Sequence, residues 1–282
     1  MAPPVELKSS VLRPKWSFEK ALRHLKGLGR SFLDLCFPIP CAGCGRKWLL
    51  HHEGFWCESC LEKIPWISSP ICPQCGRPFP KSPSSPDHLC GDCLLSTFSF
   101  DYARSAVQHA GIVREHIHEL KFGGHLHWVP ALAELLLRTI EREKAPRAQI
   151  IVPVPLHVKR VRERGFNQAA LIAGVMARRL GVPVRFDVLV RRFWTAPQTR
   201  LNRSQRLENV KGAFQVSLPS EIRGRIVLMI DDVFTTGTTL NECAKVLKES
   251  GAAEIHALTV SRALPEWKKS YDDSSSFMDD AL

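Results

Sequence analysis

Nowhere in these 282 residues does an apolar run approach the ~20 residues needed to cross a bilayer. The opening MAPPVELKSSVLRPKW has no apolar core of the kind a signal peptide carries, so a cytoplasmic protein without membrane insertion is expected. No GxxxxGKS or GxxxxGKT occurs, and no GxGxxG follows a strand, which excludes a Walker loop and a dinucleotide fingerprint. Tyrosine is scarce at two residues, few for a base-stacking platform, although seven tryptophans, among them Trp48, Trp56 and Trp66, could substitute. Those three are more often core filling. What remains is an ordinary composition, 44% hydrophobic and 24% charged, with length for one large domain and a small one.

Charge departs from the ordinary. The formal net charge is +11, and the stretch Pro265–Leu282 carries five acids and two lysines, so the rest of the chain holds an excess of +14. Eight metal-bound thiolates with two zinc ions would offset about 4 of these charges. The remainder suits a polyphosphate ligand or a nucleic-acid backbone, without deciding between them.

Eight of ten cysteines form four CxxC knuckles: Cys41/Cys44, Cys57/Cys60, Cys72/Cys75 and Cys90/Cys93. In a cytosolic chain this spacing points to zinc rather than disulfides, because one tight turn then offers two sulfurs to a tetrahedral ion. The knuckles repeat: CAGCGR at Cys41 is echoed by CPQCGR at Cys72, and CESCL at Cys57 by CGDCL at Cys90. The order reads as two consecutive Cys₄ ribbons, with interleaved pairing as the alternative. Such closed sites are structural, not catalytic. His51, His52 and His88 lie nearby and read as surface residues. Cys36 and Cys243, in apolar contexts, read as core thiols.

The stretch Val227-Leu228-Met229-Ile230-Asp231-Asp232-Val233-Phe234-Thr235-Thr236-Gly237-Thr238-Thr239 carries the most chemistry. Its apolar start reads as a buried parallel strand that ends at two adjacent carboxylates. A Thr/Gly turn and a helical pattern (Leu240, Ala244, Val246, Leu247) follow. Backbone N–H groups of such a turn, together with the helix dipole, make an anion site. Two carboxylates cannot favour a bare phosphate, so they face ribose hydroxyls or a magnesium ion. The ligand inferred is a 5-phosphorylated ribose, with phosphate on Thr235, Thr236, Gly237, Thr238 and Thr239. Its 2′- and 3′-hydroxyls would meet Asp231 and Asp232.

VLMIDDVFTTGTT resembles the phosphoribosyl-pyrophosphate (PRPP) signature of type I phosphoribosyltransferases. With the cysteine knuckles and Arg164-Gly165-Phe166-Asn167-Gln168, the chain resembles the ComF family over roughly residues 33–263. That family combines a double zinc ribbon with a phosphoribosyltransferase-like domain and is linked to natural competence. The resemblance implies an α/β fold, a mostly parallel sheet with helices on both faces, preceded by a small double zinc ribbon. Expected limits are a basic extension over 1–32, the ribbons over 33–96, the phosphoribosyltransferase-like domain over 97–264 and an acidic, disordered tail over 265–282.

Elsewhere the patterns predict a helix over Ser17–Leu35, a strand within Thr97–Ala110, and helices over Ile112–Phe122 and Val129–Glu143. A short strand, Gln149–Pro155, runs into the basic stretch His157, Lys159, Arg160, Arg162 and Arg164. That stretch reads as a ligand-facing loop, with a solvated basic turn as the alternative. In type I phosphoribosyltransferases the loop here meets pyrophosphate, which implies Arg160 and Arg164 as contacts. A helix over Phe166–Leu180, strands at Val184–Val190 and Phe214–Val216, a helix over Thr239–Ser250 and a strand at Glu254–Ser261 complete the pattern. The polar segment Thr195–Arg206 reads as a loop. The resemblance implies that it closes over PRPP, with Arg203, Arg206 and Asn209 as contacts. No acceptor pocket is legible. The expectation is magnesium-dependent PRPP binding linked to DNA uptake, with transfer of the phosphoribosyl group to a nitrogen acceptor and binding without turnover both left open. The alternative is a non-catalytic single-stranded-DNA-binding or adaptor role beside competence proteins.

Overall fold

The computed structural model describes residues 39–47, 54–80, 85–95, 98–143, 147–194 and 210–264. The expected N-terminal helix, Cys36, Trp48, His51, His52, the loop carrying Arg203, Arg206 and Asn209, and the acidic tail lie outside these residues. The chain divides into two compact units, Met1–Phe55 and Trp56–Leu282. In the first, Cys41 and Cys44 sit on a tight turn. The Gly45 N–H donates to the Cys41 carbonyl at 2.9 Å, and the Cys41 N–H to the Arg46 carbonyl at 2.8 Å.

The second unit begins with two short helices, α1 (Glu58–Glu62) and α2 (Gly91–Leu95), each starting at a cysteine knuckle. Then follow β1 (Tyr102–Gln108), α3 (Gly111–His118), a π-helical turn (Glu119–Gly123), α4 (Trp128–Glu143), β2 (Ile150–Pro153), α5 (Val158–Arg164) and α6 (Gln168–Leu180). The chain closes with β3 (Leu189–Arg191), β4 (Phe214–Val216), β5 (Ile226–Phe234), α7 (Thr238–Glu249) and β6 (Glu254–Arg262). Among the described residues no helix is long and apolar enough to cross a membrane.

Four strands form a parallel sheet in the order β1-β6-β5-β2, while β3 and β4 make a separate antiparallel pair. In β6 every residue from Ile255 to Arg262 is buried, which requires cover on both faces of the sheet. Side chains alternate across a strand. On one face Val227 and Met229 cluster with Leu240, Cys243, Ala244 and Leu247, so α7 covers that side, and Cys243 is the core thiol expected. The even-numbered positions Leu228 and Ile230 turn the other way. There α4 and α6 pack on each other and on the sheet.

Three elements differ from the sequence expectation, each for a local reason. First, β5 does not stop at its carboxylates. It runs through Asp231 and Asp232 to Phe234, because β6 keeps pairing with it up to Val233↔Ser261 and Phe234↔Arg262. Second, the basic run is a helix. The His157 Nδ1 accepts from the Lys159 N–H at 3.2 Å at its start, and Gly165, at φ 86°, closes it by donating to the Val161 carbonyl at 2.7 Å. Third, of the strand expected over Val184–Val190 only the end is paired, in β3. Val184 makes a lone bridge to Ile151, closed by the Arg185 N–H on the Ile151 carbonyl at 2.9 Å, while the Arg185 side chain ties to Asp187 and Glu221.

Candidate functional site

The carboxyl ends of β2 and β5, the first turn of α7, α5 and the π-turn surround a cleft of about 430 Å³. Ligands bind at this end of open parallel sheets. Alternation along β5 sends the two carboxylates opposite ways. Asp231 follows Met229 toward the α7 side, and Asp232 follows Ile230 toward α6.

Asp232 is buried, and each of its oxygens accepts from one side chain. Lys121 Nζ donates to its Oδ1 at 2.7 Å, and Gln168 Nε2 donates to its Oδ2 at 2.6 Å. Gln168 in turn accepts from Arg164 Nη1 at 2.8 Å. Asn167 caps α6 through Oδ1 to the Ala169 N–H at 3.0 Å, and its Nδ2 donates to the Val154 carbonyl at 3.0 Å. The run Arg164–Gln168 is thus a connector between the basic helix, the end of β2 and the acid pair.

Lys121 is delivered from the π-turn, which aromatic stacking fixes. The His116 ring lies on Trp128 at 3.7 Å, and Trp128 Nε1 donates to Glu119 Oε2 at 2.6 Å. Burial holds His116 down to about pKa 4, so this stack stays neutral at ordinary pH.

Asp231 is half-buried, and its Oδ1 accepts from the Asp232 N–H at 2.9 Å. Burial, then the neighbouring Asp232 carboxylate, pushes its carboxyl up to about 7, only partly opposed by that N–H, Lys121 and Arg191. It is an acid short of positive charge.

Of the Thr/Gly loop, Thr235, Gly237 and Thr239 line the cleft. The Thr236 and Thr238 hydroxyls instead bond each other at 2.7 Å. Gly237 caps α7 in the left-handed region at φ 79°. A Cβ there would stand 2.6 Å from the Phe234 ring and 3.2 Å from Phe98. Gly237→Ala should therefore cost about 1–3 kcal/mol of stability, read by thermal melting. An unchanged melting point would count against this view of the loop.

On α5, His157, Arg160 and Arg164 share the face that lines the cleft. Phe122 and Trp194 complete the wall. Both are partly exposed, at 67% and 39%, with Arg164 stationed 5.5 Å from the Phe122 ring and Lys159 4.7 Å from the Trp194 ring. Lys121, Gln168, Arg191, Phe122 and Trp194 are site residues that the sequence reading did not assign. Only Gln168 carried a signal, as part of the quoted motif.

At the ribbon, Cys72, Cys75, Cys90 and Cys93 are buried together, their sulfurs all within 4.8 Å of one another. The Cys72–Cys93 and Cys75–Cys90 sulfur separations are both 3.6 Å. A zinc–sulfur bond of about 2.3 Å in a tetrahedron gives about 3.8 Å between sulfurs, so the four fit one zinc ion. Burial pushes Cys75 up to about 11 and Cys93 well above the ordinary thiol range, whereas at Cys72 burial is outweighed by hydrogen bonds from the Cys75, Cys90 and Gln74 backbone and the thiol comes down to about 7; a bound cation would favour the thiolate form. Convergence of the last two knuckles on one cluster agrees with consecutive rather than interleaved pairing. His88 is no part of this cluster; its ring stacks on Phe79 at 3.8 Å. Trp56 is fully buried, and its Nε1 donates to the Ala131 carbonyl at 2.9 Å.

Comparison with known proteins agrees with both halves. Residues 32–94 match the double zinc ribbon domain, and residues 167–280 the phosphoribosyl transferase domain. DNA utilization protein YhgH of Escherichia coli (strain K12) is 33% identical over 235 residues, covering 82% of this chain and 100% of that protein. Competence protein F of Haemophilus influenzae is 30% identical over 233 residues, covering 80% and 98%. Competence protein ComFC of Bacillus subtilis is 28% identical over 214 residues, covering 73% and 84%. A double zinc ribbon joined to a phosphoribosyl transferase domain, with similarity over 84% or more of the length of these proteins, makes the chain a member of the ComF family.

Proposed function

We infer that the chain binds PRPP with magnesium in the cleft at the end of β5 and transfers its phosphoribosyl group to a nitrogen acceptor. One observation carries this reading: an acid pair, a helix N-terminus with its Thr/Gly loop, and two arginines from α5 face one cleft. The Thr235–Thr239 loop and the start of α7 suit the 5-phosphate. Asp231 and Asp232 suit the ribose hydroxyls. Arg160 and Arg164 suit the pyrophosphate. Arg203 and Arg206, outside the described residues, are proposed to close over it.

Magnesium fits Asp231, whose raised carboxyl marks a site short of counter-charge. When bound, magnesium would offset charge on the leaving pyrophosphate. In the transfer, the acceptor nitrogen's lone pair forms the bond to C1. The C1–O bond breaks with its electrons leaving on pyrophosphate, and the nitrogen's proton goes to solvent. Positive charge develops on the ribose, where Asp231 and Asp232 stabilise it, and Arg160 and Arg164 stabilise the leaving group. Phe122 and Trp194 offer apolar faces for a planar acceptor and help exclude water.

Asp231 also sets a pH dependence. Its ionised form serves the ligand, so magnesium–PRPP affinity should fall as pH drops through about 7. For the ligand-free protein the sign is opposite. A carboxyl raised from 3.8 to about 7 binds more protons folded than unfolded between those values, so stability falls as pH rises across that window. Calorimetric affinity and melting temperature, each followed against pH, check both trends. Flat profiles across pH 7 would contradict them.

A second reading has its own observation. The cleft wall carries exposed Phe122 and Trp194 among Lys159, Arg160 and Arg164, a combination that suits stacking and phosphate contacts with single-stranded DNA. Relatives named for competence and DNA utilization support such a cytoplasmic role, with competence proteins as partners. Titration of magnesium–PRPP into the zinc-loaded chain tests the first reading. Salt-dependent single-strand binding that ignores Asp231 and Asp232 would favour the second.

A further inference from the structure

The second cysteine cluster and the phosphate loop are joined by one buried cation. Arg262, the last residue of β6, is 4% exposed. Its Nη1 donates to the Cys75 carbonyl at 2.6 Å, and its Nη2 lies 3.6 Å from the Cys75 sulfur. The other side of the same guanidinium meets an aromatic ring, with its central carbon 3.9 Å from the centre of Phe234. Phe234 is its direct partner across the β5–β6 ladder.

Phe234 in turn shapes the loop. Its ring fills the space that a side chain at position 237 would need, so the left-handed turn at Gly237 is moulded against it. Phe100 meets Phe234 edge-on at 6.4 Å, and Phe98 stacks on Phe100 at 4.7 Å. Between those two phenylalanines, the Ser99 N–H donates to Asn241 Oδ1 at 2.7 Å, in the first turns of α7. The aromatic block therefore touches the loop and the helix that follows it.

We propose that Arg262 is a positioning residue that couples occupancy of the Cys72–Cys75–Cys90–Cys93 cluster to the shape of the Thr235–Thr239 loop, so that zinc and a ribose phosphate strengthen each other's binding. Four thiolates around one zinc ion leave a net negative charge, and the guanidinium is a buried cation that compensates it. Only a planar guanidinium can donate to Cys75 and lie flat on Phe234 at once; an ammonium is a point charge without that face. Loss of zinc frees the Cys75 turn that Arg262 is bonded to, and the ring on its other side loses the surface that fixes it. The proposal rests on the phosphate reading of the loop. Coupling between sites is reciprocal, so ligand must also hold zinc in place.

The test uses the full chain loaded with two zinc ions and its Arg262→Lys and Phe234→Leu variants. The second variant leaves Arg262 on Cys75 and breaks the link on its far side. One arm measures hydrogen exchange at the amides of Phe234–Asn241. We expect both variants, still binding two zinc ions, to exchange there at least about fivefold faster than wild type, with α4 and α6 unchanged. A second arm follows zinc release to a chromogenic chelator, with and without ribose 5-phosphate whose binding is measured in parallel. Slowing of one zinc equivalent by about fivefold in wild type, and not in the variants, is expected. If ribose 5-phosphate binds but zinc release does not change, the coupling is overturned and the phosphate site stands. If it does not bind, the phosphate reading fails, and unchanged exchange in the variants overturns the link itself.

Discussion

Replacing Cys72 by serine should remove one of two zinc equivalents and lower the melting temperature by about 10 °C. Cys72 is fully buried and packs in one cluster with Phe100, Ala103, Phe214, Met229 and Leu240, so its zinc site is built into the core that carries the sheet. The backbone is tied in as well. The Ala103 N–H donates to the Gln74 carbonyl at 2.8 Å, and Arg104 Nη1 to the Pro73 carbonyl at 3.0 Å. A lost metal ligand in such a place belongs to the few changes that cost about 4 kcal/mol or more. In a domain of this size that is about 10 °C. Metal analysis and thermal melting check it. A variant that keeps two zinc ions, or melts with wild type, would sink the idea that this ribbon supports the domain.

Asp232→Asn should weaken magnesium–PRPP binding about 100-fold while leaving two zinc ions and a cooperative melting transition. The substitution keeps the shape but removes the charge that Lys121 and Gln168 converge on. Lys121 then stands within the cleft without its counter-ion, and the ribose loses a charged acceptor. Loss of a charge-assisted hydrogen bond costs about 1.5–3 kcal/mol, and 100-fold corresponds to about 2.7 kcal/mol. Affinity within about threefold of wild type would show that Asp232 serves the fold rather than the ligand.

Much of this was legible locally. The knuckles and the stretch from Val227 to Thr239 each place their chemistry within a few residues, so spacing alone reveals a zinc turn or a strand, loop and helix. What spacing cannot show is which distant residue meets a buried charge. Lys121 reaches Asp232 from 111 positions away, and Arg262 reaches Cys75 from 187. Neither belongs to a motif; the register of the sheet and the stack of His116 on Trp128 bring them in. The same limit explains the strand end. Asp231 and Asp232 read as a terminus because acids are poor strand formers, yet β6 keeps hydrogen-bonding past them. The basic run read as a loop from its charge, whereas its His157 cap and Gly165 stop define a short helix. Thr236 and Thr238 look equivalent to their neighbours in sequence, and only the fold separates the pair that bond each other from those that line the cleft.

The central claim is that the cleft at the end of β5 is a working PRPP site. Calorimetric titration of PRPP with magnesium into the zinc-loaded chain tests it most directly, beside a variant with Asp231→Asn and Asp232→Asn together. The account predicts saturable, magnesium-dependent binding by the wild type and none by the variant. Equal binding by both, or none by either, would contradict it.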